Sequence, residues 1–150
     1  MIANTLTQKI GEAMKARDTV RLSTLRMLSS AFNYEKIAKQ HELNDEEELS
    51  VIRKEAKKRK EAIEAFRPAQ GKLTGVEEKI NLEKQELAIL QEFLPPEIPK
   101  EEIEKLVGEA ILELKASSIS EMGKVIGLVK SKASGIDGST LAELVKQKLS

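Results

Sequence analysis

The segment Pro95-Pro96-Glu97-Ile98-Pro99 decides how this chain of 150 residues is divided. Three prolines within five residues exclude a continuous helix, because proline lacks an amide hydrogen and disfavours helical backbone at the residue before it. On both sides of the segment, apolar residues recur at helical spacing. The sequence therefore predicts two helical subdomains, residues 1–94 and 100–150, joined by a proline-rich junction at 95–99.

Four helices are predicted in residues 1–94, and three of their starts are marked by capping side chains. Asp18 precedes the second helix, Asn44 with Glu47 precedes the third, and Thr74 with Glu77 precedes the fourth. The expected core stripes are Leu6, Ile10 and Met14; Leu22, Leu25, Leu28 and Phe32; Leu49, Ile52, Ala56, Ile63 and Phe66; and Ile80, Leu87, Leu90 and Leu94. The N-terminal subdomain is thus expected to be a helical bundle.

Three short helices are predicted in residues 100–150. Ser118 with Glu121 begins the second of them, and Ser139 or Thr140 can cap the third after a glycine-containing turn. The expected core residues are Ile103, Val107, Ile111 and Leu114, then Met122, Val125, Ile126 and Val129, and then Leu141, Leu144, Val145 and Leu149. Because strand-like alternation is absent from both halves, the predicted fold class is all-α and multihelical.

Composition narrows the classes of function. Lys and Arg number 25 and Asp and Glu number 25, so nucleic-acid binding would require a local basic patch. The absence of cysteine excludes thiolate metal sites, cysteine nucleophiles and disulfides. Four aromatic residues are too few for the stacking platforms of single-stranded RNA readers. Without a secretory signal or an apolar span, we expect a cytoplasmic protein with no membrane contact.

Signatures of catalysis, metal binding and cofactor binding are missing. The single histidine, His41, has no second ligand at a useful spacing, which favours a solvated loop residue over a metal ligand or general base. No glycine-rich phosphate loop follows a strand. We therefore expect no catalytic residue, no metal site and no cofactor.

Gly123 and Gly127 are the feature least expected from packing alone. Each interior glycine costs a helix about 1 kcal/mol relative to alanine. Residues four apart share one helix face, so the pair leaves a face without side chains. Two interpretations remain open, namely close approach to a sugar–phosphate backbone and tight packing against another helix.

Two groups of basic residues are candidate phosphate contacts. The first, near the glycine pair, is Lys124, Lys130, Lys132 and Lys146. The second, on one flank of the third helix, is Arg53, Lys57 and Lys60. Glutamates interleave with the second group, and Glu55 to Arg59 is a favourable i,i+4 pair, so a solvated helix surface is its simpler interpretation.

Several ordered motifs make the chain resemble the YqeY family over nearly its whole length. The C-terminal motif is Glu121-Met122-Gly123-Lys124-Val125-Ile126-Gly127, followed by Gly135, Asp137-Gly138 and Leu144-Val145-Lys146. The earlier ones are Arg21-Leu22-Ser23-Thr24-Leu25-Arg26-Met27, Lys57-Lys58-Arg59-Lys60-Glu61-Ala62 and Glu86-Leu87-Ala88-Ile89-Leu90 running into Phe93-Leu94-Pro95. Members of that family are similar to the tail domain of GatB, the B subunit of the tRNA-dependent Asp/Glu amidotransferase.

The resemblance implies an N-terminal helical subdomain and a smaller three-helix subdomain with a tRNA-related role. It implies that the C-terminal subdomain binds tRNA or another structured RNA; the alternative is a protein–protein interaction module that uses the Gly123 and Gly127 face, with a partner in tRNA metabolism. Such relatives are labelled carbon–nitrogen ligases with glutamine as amido donor. Because the chain has no catalytic constellation for that chemistry, we expect no such activity from it alone.

Overall fold

The computed structural model describes residues 1–133 and 135–150, and within those ranges it contains helices and no strand. The α-helices are α1 (Ile2–Lys15), α2 (Thr19–Lys39), α3 (Asp45–Phe66), α4 (Val76–Gln91), α5 (Lys100–Leu114), α6 (Met122–Lys132) and α7 (Gly138–Leu149). Short 3₁₀ turns follow α3 at Arg67–Ala69 and precede α6 at Ile119–Glu121. The predicted all-α, multihelical fold class is confirmed.

The chain separates into two compact units, Met1–Leu94 with α1 to α4 and Pro95–Ser150 with α5 to α7. Each unit has its own apolar core. Proline stands at the N-cap of α5, where Pro99 precedes Lys100 and no side chain caps the helix. No helix in the described parts of the chain is both long and apolar enough to cross a membrane.

The core of the first unit is formed by all four of its helices. The fully buried side chains at its centre include Leu28, Ile52 and Leu90. The prediction that Met14 belongs to the core is wrong, since Met14 is 53% exposed and the neighbouring Ala13 is buried instead. Leu6 and Ala13 both belong to the core cluster, so the buried face of α1 follows the seven-residue spacing between them and leaves Met14 outside it.

Two of the three predicted caps in the first unit are confirmed. The Asp18 carboxylate accepts a hydrogen bond from the amide of Arg21 at 3.0 Å. Asn44 and Glu47 form a reciprocal capping box, in which each side chain accepts from the other residue's amide, at 2.9 and 3.0 Å. Both helices begin one residue later, as predicted from the caps.

The third predicted cap, Thr74 with Glu77, is wrong. The N-cap of α4 is Gly75, which has φ 83° and gives α4 no side-chain cap. Glycine adopts this left-handed backbone without a steric penalty, so the chain turns here through its backbone. The Glu77 carboxylate instead accepts hydrogen bonds from the Gln70 amide group at 2.9 and 3.1 Å.

In the second unit, α6 and α7 begin at short polar motifs. The Glu121 carboxylate accepts hydrogen bonds from the amides of Ser117 and Ser118, at 2.7 and 3.3 Å. The prediction that Ser139 or Thr140 caps α7 is wrong, because Asp137 is the N-cap and both hydroxyls donate to its carboxylate. A carboxylate can accept several hydrogen bonds at once, and here it takes the place expected for a hydroxyl.

Candidate nucleic-acid interface

One face of α6 carries the glycine pair and is exposed to solvent. Val125 and Val129 are fully buried and hold the opposite face of the helix in the core. Because successive residues are rotated by about 100°, Gly123, Lys124 and Gly127 lie on the far side, where all three are exposed. We call these three residues, with Lys130 at their edge, the outer face of α6.

The two glycines of this face have open space in front of them. A Cβ added at Gly123 or at Gly127 would meet no described atom within 4 Å. The interpretation that the pair packs against another helix of the same chain is therefore wrong within the described residues. Gly135 is the contrasting case, since its φ is +88° and a Cβ there would lie 3.3 Å from the Cβ of Pro95.

Lys124 and Lys130 supply the charge of the outer face of α6. Both are exposed, and neither forms an ion pair with any residue that the structure describes. Hydrogen bonds from Ser117 and Ser118 lower the pKa of Glu121, and the charge of Lys124 lowers it further. The ammonium of Lys130 lies at the N-terminus of α7, where a Cβ on Gly138 would come within 3.5 Å of it.

The other two predicted lysines are placed differently. Lys132 forms an ion pair with Glu113 of α5, so a neighbouring carboxylate offsets its charge. Lys146 is exposed on α7. It lies about 200° around the helix from Lys148, whose ammonium would be 3.7 Å from a Cβ on Gly108 of α5. Lys146 therefore lies on the flank of α7 that faces away from α5.

The second basic group is only partly a surface. Lys57 and Lys60 are exposed on α3, but Arg53 is half-buried. The Nη2 of Arg53 is buried and has no hydrogen-bond partner among the described residues. The three side chains that the sequence placed on one flank thus differ in how far they reach solvent.

Arg59, in the middle of the densest basic stretch, points into the first unit. It forms ion pairs with Glu83 at 3.4 Å and Glu86 at 3.1 Å on α4, with its side chain 18% exposed. The expected pair of Glu55 with Arg59 is wrong, because Glu55 contacts Lys58 at 2.9 Å. Burial raises the pKa of Glu86 above its usual value although Arg59 opposes the shift. The basic stretch is therefore not one uniform cationic face.

No metal-binding cluster stands out beside these basic residues. His41 is exposed, with its Nδ1 2.7 Å from the carbonyl oxygen of Glu42 and its Nε2 3.5 Å from Glu47. Within residues 1–133 and 135–150, no group of three or more histidine, aspartate or glutamate side chains could hold a metal ion. The groups that the second unit offers to a ligand are therefore its exposed lysine side chains and the open backbone at Gly123 and Gly127.

The comparisons with known proteins bear on both units. A search of the curated proteins finds no significant match to the chain. The model of one family, described as Yqey-like protein, matches residues 3–149 and so covers both units. The resemblance inferred from the ordered motifs is thereby confirmed. The chain belongs to the Yqey-like protein family.

Proposed function

We propose that the chain is a helical adaptor that binds tRNA or another structured RNA through the outer face of α6. The observation that carries this proposal is the open glycine pair beside two lysines that have no ion-pair partner among the residues the structure describes. The tRNA-related role implied by the sequence resemblance supports RNA as the occupant. A cytoplasmic location follows from the same proposal.

The exposed glycines favour a function over a structural role. In an exposed helix interior, alanine is more stable than glycine by about 1 kcal/mol. Contacts inside the described chain do not offset this loss of stability at Gly123 or at Gly127, since no described atom lies within 4 Å of a Cβ placed there. A partner that approaches the bare helix backbone, such as a sugar–phosphate strand, would use the space that the missing side chains leave.

Local charge supports a polyanionic partner although the whole chain is balanced. α6 contains three lysines and no acidic residue, and of these only Lys132 pairs with a described carboxylate, that of Glu113, whereas the chain has 25 basic and 25 acidic residues. Lysine contacts with phosphates release counterions, which makes binding weaken as salt rises. Structured RNA is commonly recognised through contacts with its sugar–phosphate backbone. Its major groove is too deep and narrow for protein side chains to reach the bases.

The test is a fluorescence-anisotropy titration with total tRNA at several salt concentrations, with duplex DNA of matched length as the control polymer. We expect saturable binding that prefers tRNA and weakens with salt. Lys124→Ala should lower both the affinity and the salt dependence, whereas Lys105→Ala, an exposed lysine on α5, should change neither beyond a small electrostatic effect. Unchanged binding in Lys124→Ala would show that the proposed site is wrong.

A second candidate, a protein–protein interaction module, has one observation in its favour. The glycine face is open inside the chain, and a helix of another protein could pack against it as closely as an RNA backbone. This candidate predicts partner binding that is insensitive to salt and is lost in Gly127→Leu. Equal binding of tRNA and duplex DNA, or no binding of either, would favour this module.

A further inference from the structure

The exposed side of α2 carries an aromatic ring that the fold does not use. Leu25, Leu28 and Phe32 bury one side of α2 in the core of the first unit. The opposite side, which we call the outer face of α2, is Ser23, Arg26, Ser30, Tyr34 and Ile37. Tyr34 is 77% exposed and Ile37 is 76% exposed, and within the described residues the Tyr34 hydroxyl has no hydrogen-bond partner.

The charge of Arg26 favours a negatively charged occupant for this face. The other three basic residues of α2, Arg21, Lys36 and Lys39, form ion pairs with Glu92, Glu42 and Glu47. The helix has a single acidic residue. That acid, Glu35, is half-buried and lies 3.9 Å from Lys39, away from the outer face. Arg26 has only a weak contact among the described residues, from its Nη2 to the sulfur of Met14 at 3.9 Å. An exposed guanidinium is thus available to an anion, with no carboxylate beside it on this face.

We propose that the outer face of α2 binds a single-stranded segment of nucleic acid, with one unpaired base stacked on Tyr34 and a phosphate held by Arg26. Aromatic stacking together with a cation that contacts the backbone is the usual physical basis of single-strand binding. Arg26 and Tyr34 are eight residues apart, about 12 Å along the helix, which spans about three to four stacked nucleotides. The exposed hydroxyl of Ser30, which lies between Arg26 and Tyr34, can donate a hydrogen bond to a phosphate or sugar oxygen.

The face fits a nucleic-acid strand better than a protein partner. Stable protein interfaces need about 20–30 residues a side around an apolar centre. Here two exposed apolar side chains stand among serines and an arginine. Phe32 is buried, and Phe66 and Phe93 are half-buried, so Tyr34 is the one aromatic ring that is largely exposed in the described chain. One ring accommodates one base, which suits a single stacked nucleotide and not a platform for several.

This site would add a single-strand contact on the first unit, and it does not depend on the outer face of α6. The test uses the full chain and a fluorescein-labelled oligoadenylate of twelve nucleotides in an anisotropy titration at low salt. We expect Tyr34→Leu to weaken binding about ten-fold, a loss typical of one stacked base, and Tyr34→Phe to preserve it. Arg26→Ala should lower the salt slope by about 0.7, as expected for one lost phosphate contact to a single strand.

The control variants separate this site from general electrostatic attraction, and the comparison with tRNA separates it from the proposed tRNA site. Lys84→Ala, on the exposed surface of α4, should bind oligoadenylate like wild type, and so should Lys105→Ala, on the exposed surface of α5. Wild-type protein that does not bind oligoadenylate, or Tyr34→Leu that binds it as well as wild type, would overturn the inference. Tyr34-dependent binding of oligoadenylate without any binding of tRNA would support the α2 site while refuting the function proposed for α6.

Discussion

The carboxylate of Glu48, in α3, accepts a hydrogen bond from the backbone amide of Ile2 at 2.8 Å, across 46 positions of the sequence. Its other oxygen accepts from the amide of Ala3 at 3.1 Å. The N-cap residue Met1 provides no side-chain cap, so Glu48 satisfies two of the amides that the start of α1 leaves unpaired. Its negative charge also lies at the positive end of the helix dipole. A side chain that is 1% exposed thereby holds α1 against α3.

Replacement of Glu48 should destabilise the first unit strongly. In Glu48→Ala the amides of Ile2 and Ala3 lose their acceptor, and we expect the free energy of unfolding to fall by about 2–4 kcal/mol. The matched control, Glu46→Ala, removes an exposed charge from the same turn and should cost no more than about 1 kcal/mol. Urea unfolding followed by circular dichroism measures both. Equal losses in the two variants would contradict the capping role.

The ion pair between Arg21 and Glu92 should make stability depend on pH. Two hydrogen bonds of 2.8 Å join the guanidinium to the carboxylate, and they hold the pKa of Glu92 below its usual value. A lowered folded-state pKa contributes stability above the unfolded-state pKa and loses it as the pH falls through the folded value. Because both side chains are partly exposed, the gain is about 1 kcal/mol at most.

The variant Glu92→Gln tests this linkage. Compared with wild type, it should be less stable by about 1 kcal/mol at pH 7, and the difference should be smaller at pH 3, because the carboxylate takes up protons as the pH falls towards its lowered pKa. Urea unfolding of both proteins at the two pH values gives the difference. A difference that stays constant with pH would mean that packing, and not the charge of Glu92, accounts for the loss.

Arg59 should be much harder to replace than the other cations of its stretch. Burial raises the pKa of Glu86, and the nearby charge of Glu83 raises it further, while Arg59 lowers it. In Arg59→Met both carboxylates lose their partner, and we expect the free energy of unfolding to fall by about 1–3 kcal/mol at pH 7, less than for a fully buried pair because the three side chains are 15–18% exposed. A raised carboxyl pKa favours the folded state most at low pH, so the loss should shrink at pH 4.5. Lys57→Met is the exposed control, and thermal unfolding at both pH values is the measurement.

Replacing the open glycines of α6 by alanine should increase the stability of the protein and weaken its binding to tRNA. Gly123→Ala and Gly127→Ala add a methyl group where no described atom lies within 4 Å, so each should raise the free energy of unfolding by up to about 1 kcal/mol. The same methyl groups should weaken tRNA binding if the backbone is approached closely. Urea unfolding and anisotropy on the same samples measure both effects. Greater stability with unchanged tRNA affinity would contradict close approach.

At Gly135, another glycine of the second unit, replacement by alanine should decrease the stability of the protein. Its φ of +88° and the 3.3 Å approach of Pro95 to a Cβ make alanine strained there, because alanine disfavours left-handed backbone. We expect a loss of about 1 kcal/mol or more. If urea unfolding showed Gly135→Ala to be as stable as wild type, the distinction between packed and open glycines would fail.

The lysines near the glycine pair should contribute unequally to tRNA binding. Lys124 has no ion-pair partner in the described chain, so Lys124→Ala should reduce the log–log salt slope by somewhat less than about one. Lys132 pairs with Glu113, which must be displaced before it contacts a phosphate, so Lys132→Ala should have a smaller effect. Anisotropy titrations at four salt concentrations compare the two slopes. A larger effect of Lys132→Ala would reverse the assignment of the binding face.

Features set by neighbouring residues were predictable from the sequence. The caps Asp18 and Asn44 were correct because an N-cap side chain reaches amides only two or three residues away. The all-α class followed from apolar spacing, which needs no knowledge of the partner surface. Thr74 failed as a cap because glycine at the next position offered a backbone turn at no steric cost.

By itself, the sequence determined the helical class, the starts of α2 and α3 and membership of the family, since each depends on patterns within one stretch or on ordered motifs. The tertiary structure decided the rest: that Glu48 caps a helix 46 positions away, that Arg59 turns inward to α4, that Glu113 offsets Lys132, and that Gly123 and Gly127 stay open. The physical reason is that these outcomes depend on which distant residues approach each charge or each bare backbone, and helical periodicity carries no such information.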